Sequence, residues 1–295
     1  MVEINPNFMT TTISIVTPVY NGERYLAQTI ESVLSQNGNF YIEYIVIDDG
    51  STDNSLEIIK KYNALIQDKS WPLNCLGISF NYKTGPNRGQ ANAYNTGFKM
   101  AKGDLLAWMN ADDYYLPNTF SSIAKYYKED PSVDFFYGDC LKVYEETTRR
   151  EVLTKPNPNE SLENLRTRGN SFDLCFFSKR IFEQVGPLDE SLHYCIDLDF
   201  WFKVFAVGKI KYVPLTIAAF RIWGGSKTGS QQDKFTVERK LIFKKYGGNI
   251  IPPKKIYRLR KKIPGIDAFQ QKFPGIYKAA KNIFWNFVNL FKYKN

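Results

Sequence analysis

The chain has 295 residues, 43% hydrophobic and 16% aromatic, enough apolar mass to bury a core and to exclude wholesale disorder. Its formal charge of +9 reflects 39 Lys and Arg against 30 Asp and Glu, but eleven of those bases and one acid, Asp267, lie in residues 249–295. That segment carries +10 and leaves about −1 for residues 1–248, so a generally basic nucleic-acid binder is a poor fit and no nucleic-acid partner is expected.

Residues 1–12 are an N-terminal extension with an acid and no apolar run, unlike a secretory signal. Ile13–Val19 reads as a buried strand, closed by Pro18 and the turn at Asn21-Gly22. Residues 23–36 place Leu26, Ile30, Val33 and Leu34 on one helical face. Tyr44–Ile47 is a second strand, ending in Asp48-Asp49-Gly50-Ser51, and a helix follows from about Asn54 with Asp53 as its N-cap. A third strand is expected near Leu76–Tyr82 and a helix over Ala91–Met100. The fourth strand, Leu105–Met109, opens onto Asn110-Ala111-Asp112-Asp113. This βαβαβαβ order predicts an α/β fold, a mostly parallel sheet with helices on both faces.

The alternation loosens after residue 113, which divides one domain into halves at 13–113 and 114–248. Phe135–Tyr137 reads as a further strand, 145–170 as polar loop, and helical patterns return at Ile181–Val185 and Asp197–Ala206. Residues 224–232, rich in Gly, Ser and Gln, read as a loop, either mobile over a ligand or ordinary surface.

Four widely spaced cysteines (Cys75, Cys140, Cys175, Cys195) and a single histidine, His193, exclude a Cys/His zinc site and argue against a disulfide scaffold. A reducing compartment fits them. No run approaches the roughly 18 apolar residues of a membrane span. The expected location is cytoplasmic, peripheral on the cytosolic face of a membrane if residues 249–295 attach it there.

Parallel sheets bind ligands at the carboxyl ends of their strands. The turn after the first strand has no G-x-G-x-x-G, and no G-x-x-x-x-G-K-[ST] occurs; Gly224–Gly229 matches a phosphate loop in composition only. The strand ends carry acids instead. Asp112-Asp113 suit Mg²⁺ or Mn²⁺, which bind through one or two carboxylates with substrate phosphates. The same pair also suits a strand-end turn that caps the next helix, and Asp48–Asp53 suits an Asx-type turn.

Taken in order, Ile15-Val16-Thr17-Pro18-Val19-Tyr20-Asn21, Ile47–Asp53, and Asn87–Asp113 with its Gly89-Gln90-Ala91, Asn95-Thr96-Gly97 and Gly103-Asp104 resemble a family 2 glycosyltransferase of the GT-A type over residues 12–245. The resemblance implies an inverting, metal-dependent hexosyltransferase that moves a sugar from a nucleoside diphosphate sugar, UDP-sugars favoured, to a glycan or lipid-linked acceptor. Residues 13–113 become the donor half and 114–248 the acceptor half. The resemblance sets Pro18 and Tyr20 against the nucleobase, Asp49 on its edge, and Arg88 and Gln90 along the donor. Asp112 falls on the ribose and Asp113 on Mn²⁺ or Mg²⁺.

Inverting transfer needs a base for the acceptor hydroxyl. Ile196-Asp197-Leu198-Asp199-Phe200-Trp201 resembles the family's Glu-Asp-x-Asp-x-Trp segment and implies Asp197, rather than His193, as that base. Asp199, two residues on, faces elsewhere and supports the helix start; Asp199, Trp201, Arg221 and Trp223 are candidate acceptor or lid residues. Two departures stand out: Ile196 replaces the usual Glu, and Trp223 occupies a place where many relatives carry a histidine that can bind the metal. A catalytically silent sugar-nucleotide-binding protein shares the acids. A nucleotidyltransferase shares the sheet but needs a basic, Gly-rich loop after the first strand, which is missing.

Within the basic segment, Ile276, Ala280, Ile283, Phe287 and Leu290 form an apolar stripe opposite Lys278, Lys281 and Lys292. Such a stripe fits an in-plane helix on an anionic membrane, with residues 254–294 supplying the charge. It also fits packing on the protein's own body.

Overall fold

The structure is a computed structural model, and it describes residues 10–145, 151–168 and 174–248. The basic segment 249–295 and its membrane reading lie outside the described residues.

The first half follows the expected alternation. Strands β1 (Thr11–Val19), β2 (Phe40–Asp48), β3 (Gly77–Thr84) and β4 (Leu105–Trp108) pair in parallel, in the order β3-β2-β1-β4. Helices α1 (Leu26–Leu34), α2 (Ser55–Gln67) and α3 (Gln90–Met100) make the connections. β1 and β2 are apolar almost throughout because both faces are covered. Two glycines of the motif stretch have a packing reason. A Cβ on Gly97 would lie 2.3 Å from Val16 Cγ1, so α3 can rest on β1 only without one. A Cβ on Gly103 would meet the Thr12 carbonyl oxygen at 2.7 Å.

The second half completes one nine-stranded sheet. Its elements are β5 (Tyr114–Tyr115), α4 (Thr119–Glu129), β6 (Phe135–Tyr144), β7 (Glu151–Thr154), α5 (Leu162–Arg168), β8 (Cys175–Ser178), α6 (Lys179–Val185), α7 (Ile196–Val207), β9 (Ile210–Ile222), α8 (Lys227–Ser230) and α9 (Gln232–Lys245). The order continues from β4 through β8, β6 and β9 to β5, with β7 beside β6. β8 joins β4 and β6 antiparallel, while β6 and β9 form the longest ladder, parallel. The sheet is mostly parallel, as expected.

Several expectations change in this half. Residues 145–170 are not all loop: β7 extends β6 at its edge, and α5 buries Leu165. The Phe135 strand runs on to Tyr144 because β9, absent from the sequence reading, pairs along its whole length. Residues 224–232 hold the short α8 and the start of α9. Asp53 lies just ahead of the formal cap residue Asn54, yet its Oδ1 accepts the Ser55 N–H at 3.0 Å and so serves the same orphan donors.

Beneath the cleft, an aromatic cluster joins the halves. Trp108 of β4 packs within 5.4 Å of both Phe177 of β8 and Phe200 of α7. Each such buried ring contributes about 1.5–3 kcal/mol, so α7 is anchored to the parallel half through apolar contact. All four cysteines are free. Among the described residues no helix is long and apolar enough to cross a membrane.

Candidate active site

The strand order turns back between β1 and β4, and there a cleft of about 880 Å³ opens at their carboxyl ends. At its edge, side chains stitch the β1 and β2 turns together and hold Asn21 and Gly22 in its lining. The Asn21 N–H donates to Ser51 Oγ at 3.0 Å, and Asn21 Oδ1 accepts the Thr52 N–H at 2.8 Å. The Gly22 N–H donates to Ser55 Oγ at 2.8 Å. The acid run after β2 is therefore a turn, as its composition allows, and that turn serves the cleft.

Asp49 is buried, and its carboxylate accepts the N–H groups of Arg88 at 2.9 Å and Gly89 at 3.0 Å. It thereby holds the loop that opens α3. Pro18, Tyr20 and Asp49 line one wall with Gln90. Arg88 does not: its backbone meets Asp49, and its side chain is exposed outside the cleft.

Adjacent Asp112 and Asp113 take opposite sides. Asp112 lines the cleft, and its Oδ2 accepts the Trp223 indole N–H at 2.9 Å. Burial pushes its pKa up, while that bond and the Arg221 charge draw it back without cancelling the rise. Asp113 is 1% exposed and turned inward. Its Oδ1 accepts the Arg221 backbone N–H at 2.8 Å, and its Oδ2 accepts Asn110 Nδ2 at 2.8 Å. Asp113, expected at the metal, is thus engaged by β9 and lies outside the cleft lining.

Arg221 is held on every side. Nη1 donates to the Asp112 carbonyl at 2.7 Å, Nη2 to Gln28 at 2.6 Å and Nε to Glu145 at 3.1 Å, with the guanidinium over the Tyr25 ring at 3.9 Å. It reaches the cleft wall but organises the Asp112 turn. Trp223 packs edge-on against Tyr25, with ring centroids 5.3 Å apart.

On the facing side, Asp197 lines the cleft from the first turn of α7, its Oδ1 accepting the Leu198 N–H at 2.8 Å. Trp201 follows one turn later and also lines it. Asp199 points away, as its two-residue offset demands on a helix. Its Oδ1 accepts Lys245 Nζ at 2.7 Å and the Tyr246 hydroxyl at 2.9 Å, and Lys203 Nζ stands 3.4 Å from Oδ2. It ties α7 to the end of α9 and is not an acceptor residue in this arrangement. His193 is exposed and does not line the cleft.

Two residues the sequence reading did not single out line the cleft, and a third lies outside its lining. Asn110 Oδ1 accepts Gln90 Nε2 at 2.9 Å and the Tyr94 hydroxyl at 2.8 Å, which joins α3 to the Asp112 turn. Lys227 lines the cleft and donates to Gln90 Oε1 at 2.9 Å and to the His193 carbonyl at 3.2 Å. Although part of its side chain meets solvent, crowding by the cleft walls lowers its pKa. Its position in Gly224–Gly229 was the only signal. Glu238 of α9 had none, being one of two acids in a basic helix.

For a divalent cation the donor set is small. Among the described residues no three His, Cys, Asp or Glu side chains come together, and Asp112 is the member of its pair that faces the cleft. One carboxylate beside a diphosphate fits Mg²⁺ or Mn²⁺.

Comparison with known proteins gives a consistent assignment. The model for glycosyl transferase family 2 matches residues 14–185. An uncharacterized glycosyltransferase of Rickettsia prowazekii is 29% identical over 233 residues, covering 76% of this chain and 68% of that protein. Another, from Nostoc sp., is 29% identical over 232 residues, covering 72% and 66%. The chain thus spans about two thirds of the length of these relatives. TarS residues 1–349 from S. aureus, in complex with UDP-GlcNAc, superpose with a TM-score of 0.59 at 22% identity, covering 79% of this chain and 65% of that one. The mannosyltransferase PcManGT of Pyrobaculum calidifontis, in complex with GDP-Man and Mn²⁺, gives 0.60 at 15% identity, covering 98% and 83%. These likenesses show a GT-A-type fold. With more than half its length matched by the family model, the chain belongs to glycosyl transferase family 2.

Proposed function

We propose that this glycosyltransferase moves a sugar from a nucleoside diphosphate sugar, a UDP-sugar by preference, to a hydroxyl of a glycan or glycolipid, with inversion. The observation that supports this best is the convergence of Asp49, Asp112 and Asp197 on one cleft at the strand ends. Asp49 is an acceptor-only group and selects a base edge that presents an N–H, as uracil does. Pro18 and Tyr20 offer flat faces to the same base. A Mn²⁺ or Mg²⁺ ion would be held by Asp112 together with the donor diphosphate, and would supply positive charge against the departing phosphate. Lys227 adds a cation to the same cleft.

Asp197 takes the proton of the acceptor hydroxyl as its oxygen bonds to the anomeric carbon. The bond from that carbon to the phosphate oxygen breaks on the opposite face, and the nucleoside diphosphate leaves. Residues 254–294 bring the enzyme to an anionic membrane surface where lipid-linked acceptors reside.

Thermal shift with UDP-glucose, UDP-GlcNAc and GDP-mannose, with and without Mn²⁺, tests the donor; no shift from any of them overturns it. Asp197→Asn should keep the donor shift and lose transfer, and undiminished transfer overturns the base assignment. Donor binding without turnover by the wild-type protein would instead identify a silent sugar-nucleotide binder.

A further inference from the structure

The helix that carries Asp197 receives little capping from its own segment, where Asp197 itself accepts the Leu198 N–H. Cys195 stands at its cap position, and its side chain makes no capping bond, although helix starts leave N–H groups in need of acceptors. The three N–H groups leading into α7 converge instead on one distant carboxylate. His193 N–H donates to Glu238 Oε1 at 2.8 Å, and Tyr194 and Cys195 donate to Oε2 at 2.6 and 2.5 Å. Consecutive backbone N–H groups make a concave anion site, and bonds to an ionised acceptor are the strong kind.

The same stretch is fastened again by neighbouring residues. Tyr194 donates its hydroxyl to Gln231 at 2.9 Å, and its ring stands edge-on to Phe235 with centroids 5.2 Å apart. Lys227 reaches the His193 carbonyl from α8. Glu238 itself does not line the cleft, so any effect it has on transfer passes through the backbone it holds.

We propose that Glu238 is a positioning residue for sugar transfer: by seating the backbone of His193–Cys195 it fixes the first turn of α7 and the aim of Asp197 into the cleft. This rests on the reading of Asp197 as the base. The group must be acceptor-only, because a glutamine would set its own NH₂ against at least one of the three donors. Misplacing a reacting group by about 1 Å costs on the order of a hundredfold in rate.

The test compares full-length wild type with Glu238→Gln, Glu238→Ala and Glu238→Asp, using the three sugar nucleotides above and titration of UDP in Mn²⁺. We expect kcat to fall about tenfold to a hundredfold in the Gln and Ala variants, with donor KM and UDP affinity unchanged, and Asp to recover part of the loss. If Gln and Ala fail to fold, Asp carries the test: it keeps the charge but reaches fewer donors, so kcat falls below wild type at unchanged UDP affinity. Wild-type kcat in a folded Gln, Ala or Asp variant, or a kcat loss matched by lost UDP binding, overturns the proposal. Full transfer by Asp197→Asn would overturn the base reading instead, whatever the Glu238 variants do.

Discussion

The indole N–H of Trp223 donates to Oδ2 of Asp112 at 2.9 Å, so the residue that follows β9 holds the one carboxylate of its pair that faces the cleft. The place where the family resemblance leads one to look for a metal-binding histidine is filled by a donor that orients the remaining acid. A neutral N–H cannot bind a cation, but it favours the ionised form of Asp112 against the cost of burial.

Trp223→Phe should therefore raise the Asp112 pKa further. With the folded-state pKa raised, the proton competes with a cation over a wider range on the acid side. Mn²⁺-dependent UDP affinity should fall about tenfold near pH 6, as expected for one hydrogen bond to a charged group, and by less at pH 8. Titration calorimetry across that range is the check; an equal loss at both pH values would remove Asp112 protonation as the cause.

Asp112 and Asp113 should separate on substitution. Asp112→Asn removes a cleft carboxylate whose burial is unfavourable, so Mn²⁺-dependent UDP binding should vanish while thermal stability holds or rises. Asp113→Ala leaves the Arg221 N–H and the Asn110 amide without their acceptor in a buried site, at a cost on the order of 3 kcal/mol. Chemical denaturation of both variants beside UDP titration distinguishes them, and a stable Asp113→Ala would contradict the inward role of that side chain.

Acid stability should depend on Asp134. Burial pushes its pKa up, but the Lys209 N–H, Arg180 and Ser178 outweigh that and hold it below the usual value. They bind at 3.0 Å from Lys209, 2.5 Å from Arg180 Nη2 and 2.9 Å from Ser178. A depressed folded-state pKa means that this stabilisation is complete above the unfolded value near 3.9 and is lost as pH falls through the folded one. Asp134→Asn should thus lower the melting temperature at pH 7, with the gap to wild type closing below about pH 4. A gap independent of pH would mean that packing, not charge, sets the cost.

The proposed membrane attachment through residues 254–294 is open to a direct test. The full-length protein should float with vesicles rich in anionic lipid and stay down with neutral ones, since each basic residue near an anionic surface contributes about 1 kcal/mol. A chain ending at residue 248 should not float with either. Equal flotation of the two chains would move the membrane contact to the body.

Much of the first half was legible because its signals are local. Ile13–Val19 and Tyr44–Ile47 are apolar runs that only a strand covered on both faces can bury, and of the polar residues that end them Tyr20, Asn21 and Asp49 line the cleft. Asp49 and Asp197 could be placed beside the cleft from their positions at a strand end and a helix start, and Asp199 away from it by helical offset. The GT-A-type sheet and the family followed from these segments in their order.

The remainder depended on residues far apart in the chain. β9 has no strong alternation of its own and becomes a strand because it lies beside β6, some 75 residues earlier. That pairing sets the Arg221 N–H against Asp113 and Trp223 against Asp112, and so decides which of two adjacent carboxylates is buried and which is offered to a ligand. Glu238 likewise has no meaning until α9 lies against the entry to α7. Residue type and local period determined the kind of chemistry this protein carries. Which acid faces the cleft was decided by long-range packing, because hydrogen-bond partners for buried carboxylates are met only when distant strands and helices close on them.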